Sequence, residues 1–413
     1  MHAPRLECKR HAFVIGWPIA EVGGVSEVVR NLASELAASS DVAPVVIESC
    51  EPTTEVESNA PVRLKPLSPC DEKRPLRALA SFFLKFPAGV WRLRRLCRQF
   101  QIDVLNPHFV GPDYFTFALA KRLGFFRGQL VLSFHGSDVQ TMVRTSGLER
   151  FVYRTMLGAA DWLVPCSEGL GAPIRAFAPE LSHRIRAIRN GINTDRFEAE
   201  SNGDAELPEA FRGRPFLLNV GAFHERKGHD LLVRAFAEIR SAHPELRLVI
   251  AGGNGPEYER TEALARELGV EEYTLLLRNV PHARVAALLK AAQLFVLPSR
   301  REGFAMVLLE AAAARTPIVA SLACGVGELL VDGEDGWTVP VERADLLADA
   351  IEDALANPEE RLRRSLRLEE RVLTEFTWAR ACSEYRMLYE RPRPERAPLG
   401  PLSLGKPAEE KGG

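Results

Sequence analysis

Short apolar runs alternate with longer amphipathic stretches along this chain, and the alternation occurs twice, with a polar interruption in between. In the first part HAFVIG (11–16), APVVIES (43–49), IDVLNPHF (102–109), QLVLSFHG (129–136) and DWLVPCS (161–167) have strand length and composition. RIRAIRNGI (184–192) closes this part. Val28, Val29, Leu32 and Leu36 recur at the spacing of a helix packed on a sheet. Strands separated by helices need crossover connections, and the result is a mostly parallel sheet covered on both faces. The polar stretch FEAESNGDAELPEAFRGR (197–214) then breaks the pattern and reads as a linker. The pattern resumes with RPFLLNVG (214–221), LRLVIAG (246–252), YTLLLRNV (273–280), LFVLPS (294–299), PIVAS (317–321) and a short strand near GWTVP.

The expected fold class is therefore α/β, with two Rossmann-like doubly wound domains facing across a cleft. Residues 1–197 form an acceptor-side domain, 198–213 the linker and 214–375 the nucleotide-binding domain. A helix at 376–390 packs back toward the first domain, and the Pro- and Gly-rich tail, 391–413, reads as disordered. A length of 413 residues agrees with two domains of roughly 150–200 each. Open α/β sheets bind ligands beyond the carboxyl ends of their strands, so functional residues are expected in the loops that follow them.

Composition narrows the function. Lys plus Arg (53) nearly balance Asp plus Glu (55), which argues against a nucleic-acid binder. Seven cysteines without a CxxC pair suit a reducing compartment. The amino terminus reads as a first strand without signal-peptide dimensions, and a cytoplasmic location is expected. One stretch departs from the balance: residues 73–98 carry eight Lys or Arg, no acid, and interspersed Phe82, Phe83, Phe86, Val90 and Leu93. Such a segment suits an anionic membrane surface on the inner face of the cell membrane, or equally a core-packed helix with a solvated basic back. Pro87 and Gly89 are expected to break it into two pieces.

In LPSRREGFAMVLLEAAAARTPIVAS the helix is expected to start near Phe304, with Glu302 at its mouth and Glu310 eight residues later. A rise of 1.5 Å per residue separates them by roughly 12 Å. That is too far for an acid and base on one glycosidic oxygen, which need roughly 5–9.5 Å. It fits two grips on an extended ligand, with helix amino-terminal amides facing a phosphate in between. The alternative is two surface carboxylates near a helix start. His135 ends a hydrophobic strand and is followed by Gly136, which favours close ligand approach over a merely structural histidine. His108, after NP, is a weaker acceptor-side candidate, and His224 and His229 in HERKGH lack zinc-ligand spacing.

The segment PSRREGFAMVLLEAAAARTPIVAS resembles the donor-binding signature of the retaining glycosyltransferase family 4, of GT-B fold. Its E-x7-E is Glu302 to Glu310. HG-x-D matches His135-Gly136-Ser137-Asp138, the glycine-rich turn matches Gly23-Gly24-Val25, NG-[VI]-[DN] matches Asn190 to Asn193, and K-G matches Lys227-Gly228. The resemblance extends from about residue 11 to 390. It implies that Glu302 contacts hydroxyls of the transferred sugar and Glu310 the ribose. It also implies that His135 bonds the sugar near its 6-position, and that Lys227 contacts the diphosphate. Gly23, Gly24 and the loop Gly303-Phe304-Ala305 would reach the phosphates, and Arg278, Asn279 and Val280 would line the base. Asp138 joins His108 on the acceptor side. The family usually has Gly-Arg after the first strand of the second domain, whereas this chain has Gly221-Ala222. One cation is missing there, and Arg226 and His224 of the same loop are the candidates to replace it.

The implied activity is retaining transfer of a hexosyl-type sugar from a UDP- or GDP-linked donor to a glycan or lipid-linked acceptor, in cell-surface polysaccharide or glycolipid synthesis. No D-x-D is present, so a metal is not expected, nor any cofactor; Lys227 and helix-terminal amides are the alternative counter-charge. Two other readings remain: a catalytically impaired nucleotide-sugar-binding or interaction protein, motivated by Ala222, and a nucleotide-sugar 2-epimerase. A nicotinamide dehydrogenase would need a GxGxxG that neither Gly23-Gly24 nor the 252–256 loop supplies.

Overall fold

The computed structural model describes residues 10–21, 23–39, 44–49, 62–65, 67–71, 73–198, 203 and 207–394. The chain divides into two compact units, one running to Arg189 and completed by the segment from Trp378, the other spanning Asn190–Thr377. The division falls ahead of the boundary expected at 197.

The first unit holds β1 (Arg10–Ile15), α1 (Gly24–Ser39), β2 (Val45–Glu48), β3 (Val62–Arg63), α2 (Pro75–Gln99) and β4 (Ile102–Pro107). It continues with α3 (Phe115–Arg122), β5 (Gln129–Phe134), α4 (Ser137–Arg144), α5 (Gly147–Ala159), β6 (Trp162–Pro165) and α6 (Glu168–Phe177). The second unit holds α7 (Asp195–Glu198), β7 (Phe216–Val220), α8 (His229–Ile239), β8 (Arg247–Gly252), α9 (Tyr258–Glu267) and β9 (Thr274–Arg278). Then follow α10 (His282–Ala291), β10 (Leu294–Leu297), α11 (Met306–Ala313), β11 (Ile318–Ser321), β12 (Trp337–Val339), α12 (Ala344–Ala356) and α13 (Pro358–Glu375). A last helix, α14 (Trp378–Glu390), returns to the first unit.

Among the described residues each unit carries one six-stranded parallel sheet, ordered β3-β2-β1-β4-β5-β6 and β12-β11-β10-β7-β8-β9. Counted within its unit, each order is the same doubly wound 3-2-1-4-5-6, which reverses direction between its first and fourth strands. Val14 thus has Ile47 on one side and Pro107 on the other, and Leu218 lies between Val249 and Phe295. All six residues of β5 are buried, as a sheet covered on both faces requires.

The helices bury one stripe each. Val28, Val29, Leu32 and Leu36 of α1 are all buried, as their spacing predicts. In the second unit Leu232, Phe236 and Ile239 of α8 meet Leu217, Leu248 and Ile250 of the sheet. Each such side chain removed from water contributes about 1.5–3 kcal/mol. On α14, Trp378, Ala381, Cys382, Tyr385, Leu388 and Tyr389 form the buried stripe. Its two tyrosines also reach polar groups on the strands. Asn106 Nδ2 donates to Tyr389 Oη at 2.8 Å, Ser133 Oγ donates to Asn106 Oδ1 at 2.8 Å, and Tyr385 Oη lies 3.1 Å from Ser133 Oγ.

Residues 184–192 form no strand, and Ile185 makes an isolated bridge to Leu163. Arg184 is buried there and donates to the carbonyls of Ala160 and Gly158, which caps the end of α5. Several elements differ from expectation. The basic segment is one helix, α2, with Pro87 inside it. Buried Phe82, Val90, Leu93 and Leu96 hold both halves to one face, and the carbonyl that Pro87 leaves without a donor belongs to solvent-exposed Phe83. Helix α11 starts at Met306 rather than Phe304, so a helical rise does not measure the separation of Glu302 from Glu310. The expected linker is partly body: Leu207 and Phe211 are buried, and a Cβ on Gly203 would stand 2.1 Å from the Ala287 carbonyl. Residues 199–202 and 204–206 of that linker, and the tail from 395, lie outside the described residues. No described helix is long and apolar enough to cross a membrane.

Candidate active site

In the second unit the sheet reverses direction between β7 and β10, and the loops after these two strands carry Lys227 and Glu302. Backbone packing fixes the first loop. Gly228 has φ 67°, a left-handed value that favours glycine, and a Cβ there would stand 2.1 Å from the Pro298 carbonyl of the second loop. The amides of Arg300 and Arg301 both donate to the Arg226 carbonyl, at 2.8 and 3.4 Å. The Arg300 guanidinium completes the join, donating to both carboxylate oxygens of Asp230 at 2.7 and 2.8 Å, to Glu342 at 2.6 Å and to the Glu225 carbonyl at 2.9 Å.

Within this frame Lys227 Nζ donates to Glu302 Oε1 at 2.6 Å, and Ser299 Oγ donates to the same oxygen at 2.7 Å. Glu302 is only 6% exposed. Burial pushes its carboxyl up, but the Lys227 ammonium, the Ser299 hydroxyl and the charge of Arg226 outweigh burial and hold it below the usual range. Oε1 takes both bonds, while Oε2 makes none among the described residues. Arg226 is half-buried beside the pair, and its guanidinium makes no hydrogen bond among the described residues.

Gly303, Phe304 and Ala305 are buried in the turn before α11, and the amides of Phe304 and Ala305 donate to no described group. These two amides are donors suited to an anion, whereas those of Met306 and Leu308 already donate to the carbonyls of Phe304 and Ala305 at 2.9 Å. Glu310 is half-buried on α11. At the end of β9 the Arg278 guanidinium lies 3.4 Å over the Tyr258 ring and 3.3 Å from Glu259, while Asn279 is exposed with φ 51°. Val280 follows, half-buried.

In the first unit the sheet reverses between β1 and β4. Gly23 and Gly24 open α1 after β1, and a Cβ on either would meet nothing within 4 Å. The Gly23 carbonyl accepts from Glu27 at 3.0 Å. His135 follows β5, and Gly136 comes next with φ 133°, a backbone that an L side chain rarely adopts. His108 follows β4. It is fully buried, and its Nδ1 lies 3.0 Å from His135 Nε2.

Asp138 is buried beneath these loops. Its carboxylate accepts from the amides of Val110, His135, Gly136 and Val139 at 2.8–3.1 Å. Burial pushes the carboxyl up to about 6 against the pull of those four amides. The placement of Asp138 and His108 differs from the acceptor-side expectation: both are enclosed, and each supports the loops from behind. His229 is likewise buried, against Phe223 at 4.9 Å. Among the described residues no group of three or more His, Cys, Asp or Glu is placed to hold a metal ion.

Sequence reasoning did not find Ser299 or Arg300. A signal for the first was present, since Ser299 and Glu302 have S-x-x-E spacing. Arg300 bonds to Asp230 in the first turn of α8, seventy residues away in sequence, which no local pattern reveals.

Two family models match. The one described as Glycosyltransferase Family 4 covers residues 22–196, and the one described as Glycosyl transferases group 1 covers residues 206–369. The chain is 30% identical over 295 residues to the GDP-mannose-dependent alpha-(1-6)-phosphatidylinositol monomannoside mannosyltransferase of Mycolicibacterium smegmatis, covering 69% of this chain and 75% of that one. It is 29% identical over 419 residues to the glycogen synthase of Mycobacterium tuberculosis, covering 95% and 97%. Among solved structures, a sucrose-phosphate synthase from Thermosynechococcus elongatus superposes with a TM-score of 0.74 at 23% identity, over 92% of this chain and 98% of that one.

Proposed function

This chain belongs to glycosyltransferase family 4, and we propose that it moves a hexosyl-type sugar, with retention, from a nucleoside-diphosphate donor to a glycan or lipid-linked acceptor. The observation that carries this reading is the Lys227–Glu302 pair at the β7/β10 reversal, flanked by the open amides before α11. Breaking a glycosyl–phosphate bond leaves positive charge on the sugar and negative charge on the diphosphate. Lys227 and Arg226, with the amides of Phe304 and Ala305, answer the second charge without a metal. Arg226 fills the place of the cation that Ala222 lacks. Glu302 Oε2 accepts from a hydroxyl of the sugar while Oε1 stays anchored, and Glu310 accepts from the ribose. The leaving phosphate oxygen takes the acceptor's proton on the face it departs from, which retains the anomeric configuration.

GDP-mannose stands in the name of the mycolicibacterial relative, and a GDP- or UDP-linked hexose is the donor class proposed here. A lipid-linked acceptor is supported by α2, where exposed Leu76, Phe83, Leu84 and Trp91 stand among the basic residues and no acid interrupts them. That face suits the inner, anionic surface of the cell membrane. A mass-spectrometric screen of nucleotide sugars against candidate acceptors tests the reading. A glycosylated product with release of free nucleoside diphosphate is expected, and interconverted nucleotide sugar in its place would favour an epimerase.

A further inference from the structure

In the first unit β4 and β5 end side by side, and the residues that follow them, His108 and His135, bring two imidazoles together. His108 forms a bridge with Ser133, its amide donates to the Val14 carbonyl at 2.8 Å, and its own carbonyl accepts from Tyr114 Oη at 3.3 Å. Its ring lies 5.4 Å from Phe13 at a steep angle of 74° and is wholly enclosed. The His135 backbone is pinned by Asp138, as described above. The two rings therefore meet in a fixed geometry, with His108 Nδ1 and His135 Nε2 3.0 Å apart. The Nδ1 of His135 makes no hydrogen bond among the described residues, and the residue is only half-buried.

Burial keeps both rings neutral near pH 7. It pushes His135 down to about 4 and His108 well below its usual value, with His135 adding to the effect on His108. Each ring then carries a single proton, and the bond between them has two possible directions. The far nitrogen of His108 decides between them, because Nε2 is buried without a partner among the described residues. If His135 were the donor, the proton of His108 would sit on Nε2 as a buried N–H with no acceptor. If His108 donates from Nδ1, Nε2 is only an unused lone pair. Orphaned buried N–H groups are the rarer of the two, which favours the second arrangement.

We propose that His108 is a positioning residue that holds His135 in its Nδ1–H tautomer, so that His135 meets its ligand as a hydrogen-bond donor from Nδ1 and not as a base. This rests on the reading above only in taking the ligand to be the transferred sugar, whose hydroxyl oxygens accept such a bond. It also leaves the acceptor's proton to the departing phosphate.

The tautomer itself is measurable without activity. Histidine-selective ¹⁵N labelling of the full-length protein, with long-range ¹H–¹⁵N correlation spectra at neutral pH, reads which ring nitrogen carries the proton. His135 is expected to be protonated at Nδ1 and bare at Nε2, and His108 likewise. A proton on Nε2 of His135 overturns the proposal. His108→Phe keeps a ring of similar size without the donor; it is expected to release His135 into mixed tautomers and lower kcat by about tenfold or more while donor KM holds. His108→Asn, which supplies an amide donor, is expected to recover part of the loss. A His108→Phe protein with wild-type kcat and an unchanged His135 tautomer also overturns the proposal. If His135 is protonated at Nδ1 but His135→Ala transfers sugar at the wild-type rate, the sugar role assigned to His135 fails while the tautomer assignment stands.

Discussion

Replacing Lys227 with alanine exposes two properties of the site in one protein. The lysine sits 2.6 Å from a carboxylate that is only 6% exposed, and its own side chain is 14% exposed. Removing one partner of a buried pair costs about 3–5 kcal/mol, because the other charge stays behind uncompensated. Partial exposure of the lysine and the nearby Arg226 put the expected loss at the lower end, about 3 kcal/mol. The loss depends on pH with a definite sign. In the native protein the carboxyl of Glu302 lies below its ordinary value of 4.5, so its contribution is complete above that value and is lost as pH falls through the native one. Without Lys227, burial prevails and the carboxyl rises above the ordinary value. The variant's native state then holds a proton more tightly than its unfolded state and loses stability as pH increases. The deficit against wild type should be greatest near pH 8 and shrink toward pH 4. Denaturant unfolding at both pH values measures it, and kcat/KM with donor varied should fall about 10²–10³-fold in parallel. A deficit of equal size at both pH values, with unaltered kcat/KM, would refute the reasoning.

Other outcomes follow from the same geometry. If Arg226 serves the diphosphate, Arg226→Ala should lower kcat/KM by a factor comparable to Lys227→Ala, and the double variant should fall well short of the sum; a change within about 0.5 kcal/mol would leave Arg226 without that role. Tyr389→Phe removes the acceptor for the buried Asn106 amide and should cost about 1–3 kcal/mol in denaturant unfolding, with no change in nucleotide affinity by calorimetry. If side-chain cations and amides answer the diphosphate charge as proposed, transfer should survive EDTA; a rate abolished by chelation and restored by Mg²⁺ or Mn²⁺ would contradict this.

The strands were legible because a parallel sheet covered on both faces needs continuous apolar runs, and β1, β5, β7, β8 and β10 are such runs. The reversal point was legible only at the level of fold class. Periodicity does not say which strands are neighbours, so nothing local in RREGF showed that Glu302 would meet a lysine seventy-five positions earlier. Nothing local in RIRAIRNGI showed that Arg184 would cap a helix. Pro87 misled because a helix breaker is tolerated where the orphaned carbonyl faces solvent and the buried stripe continues past it. His108 and Asp138 were placed correctly at strand and loop ends, but His108 is covered by Tyr385 of α14 and Asp138 by the loop after β4, which a linear pattern does not record.

In the proposed reading Lys227 holds the diphosphate and Glu302 reads the sugar. Glu302→Gln tests it most directly, with transfer kcat at saturating donor measured beside the Kd of the free nucleoside diphosphate. A fall in kcat of about 10²-fold or more is expected, with nucleotide affinity held within about 0.5 kcal/mol or tightened by release of Lys227. Collapse of nucleotide binding with kcat unaffected would contradict it.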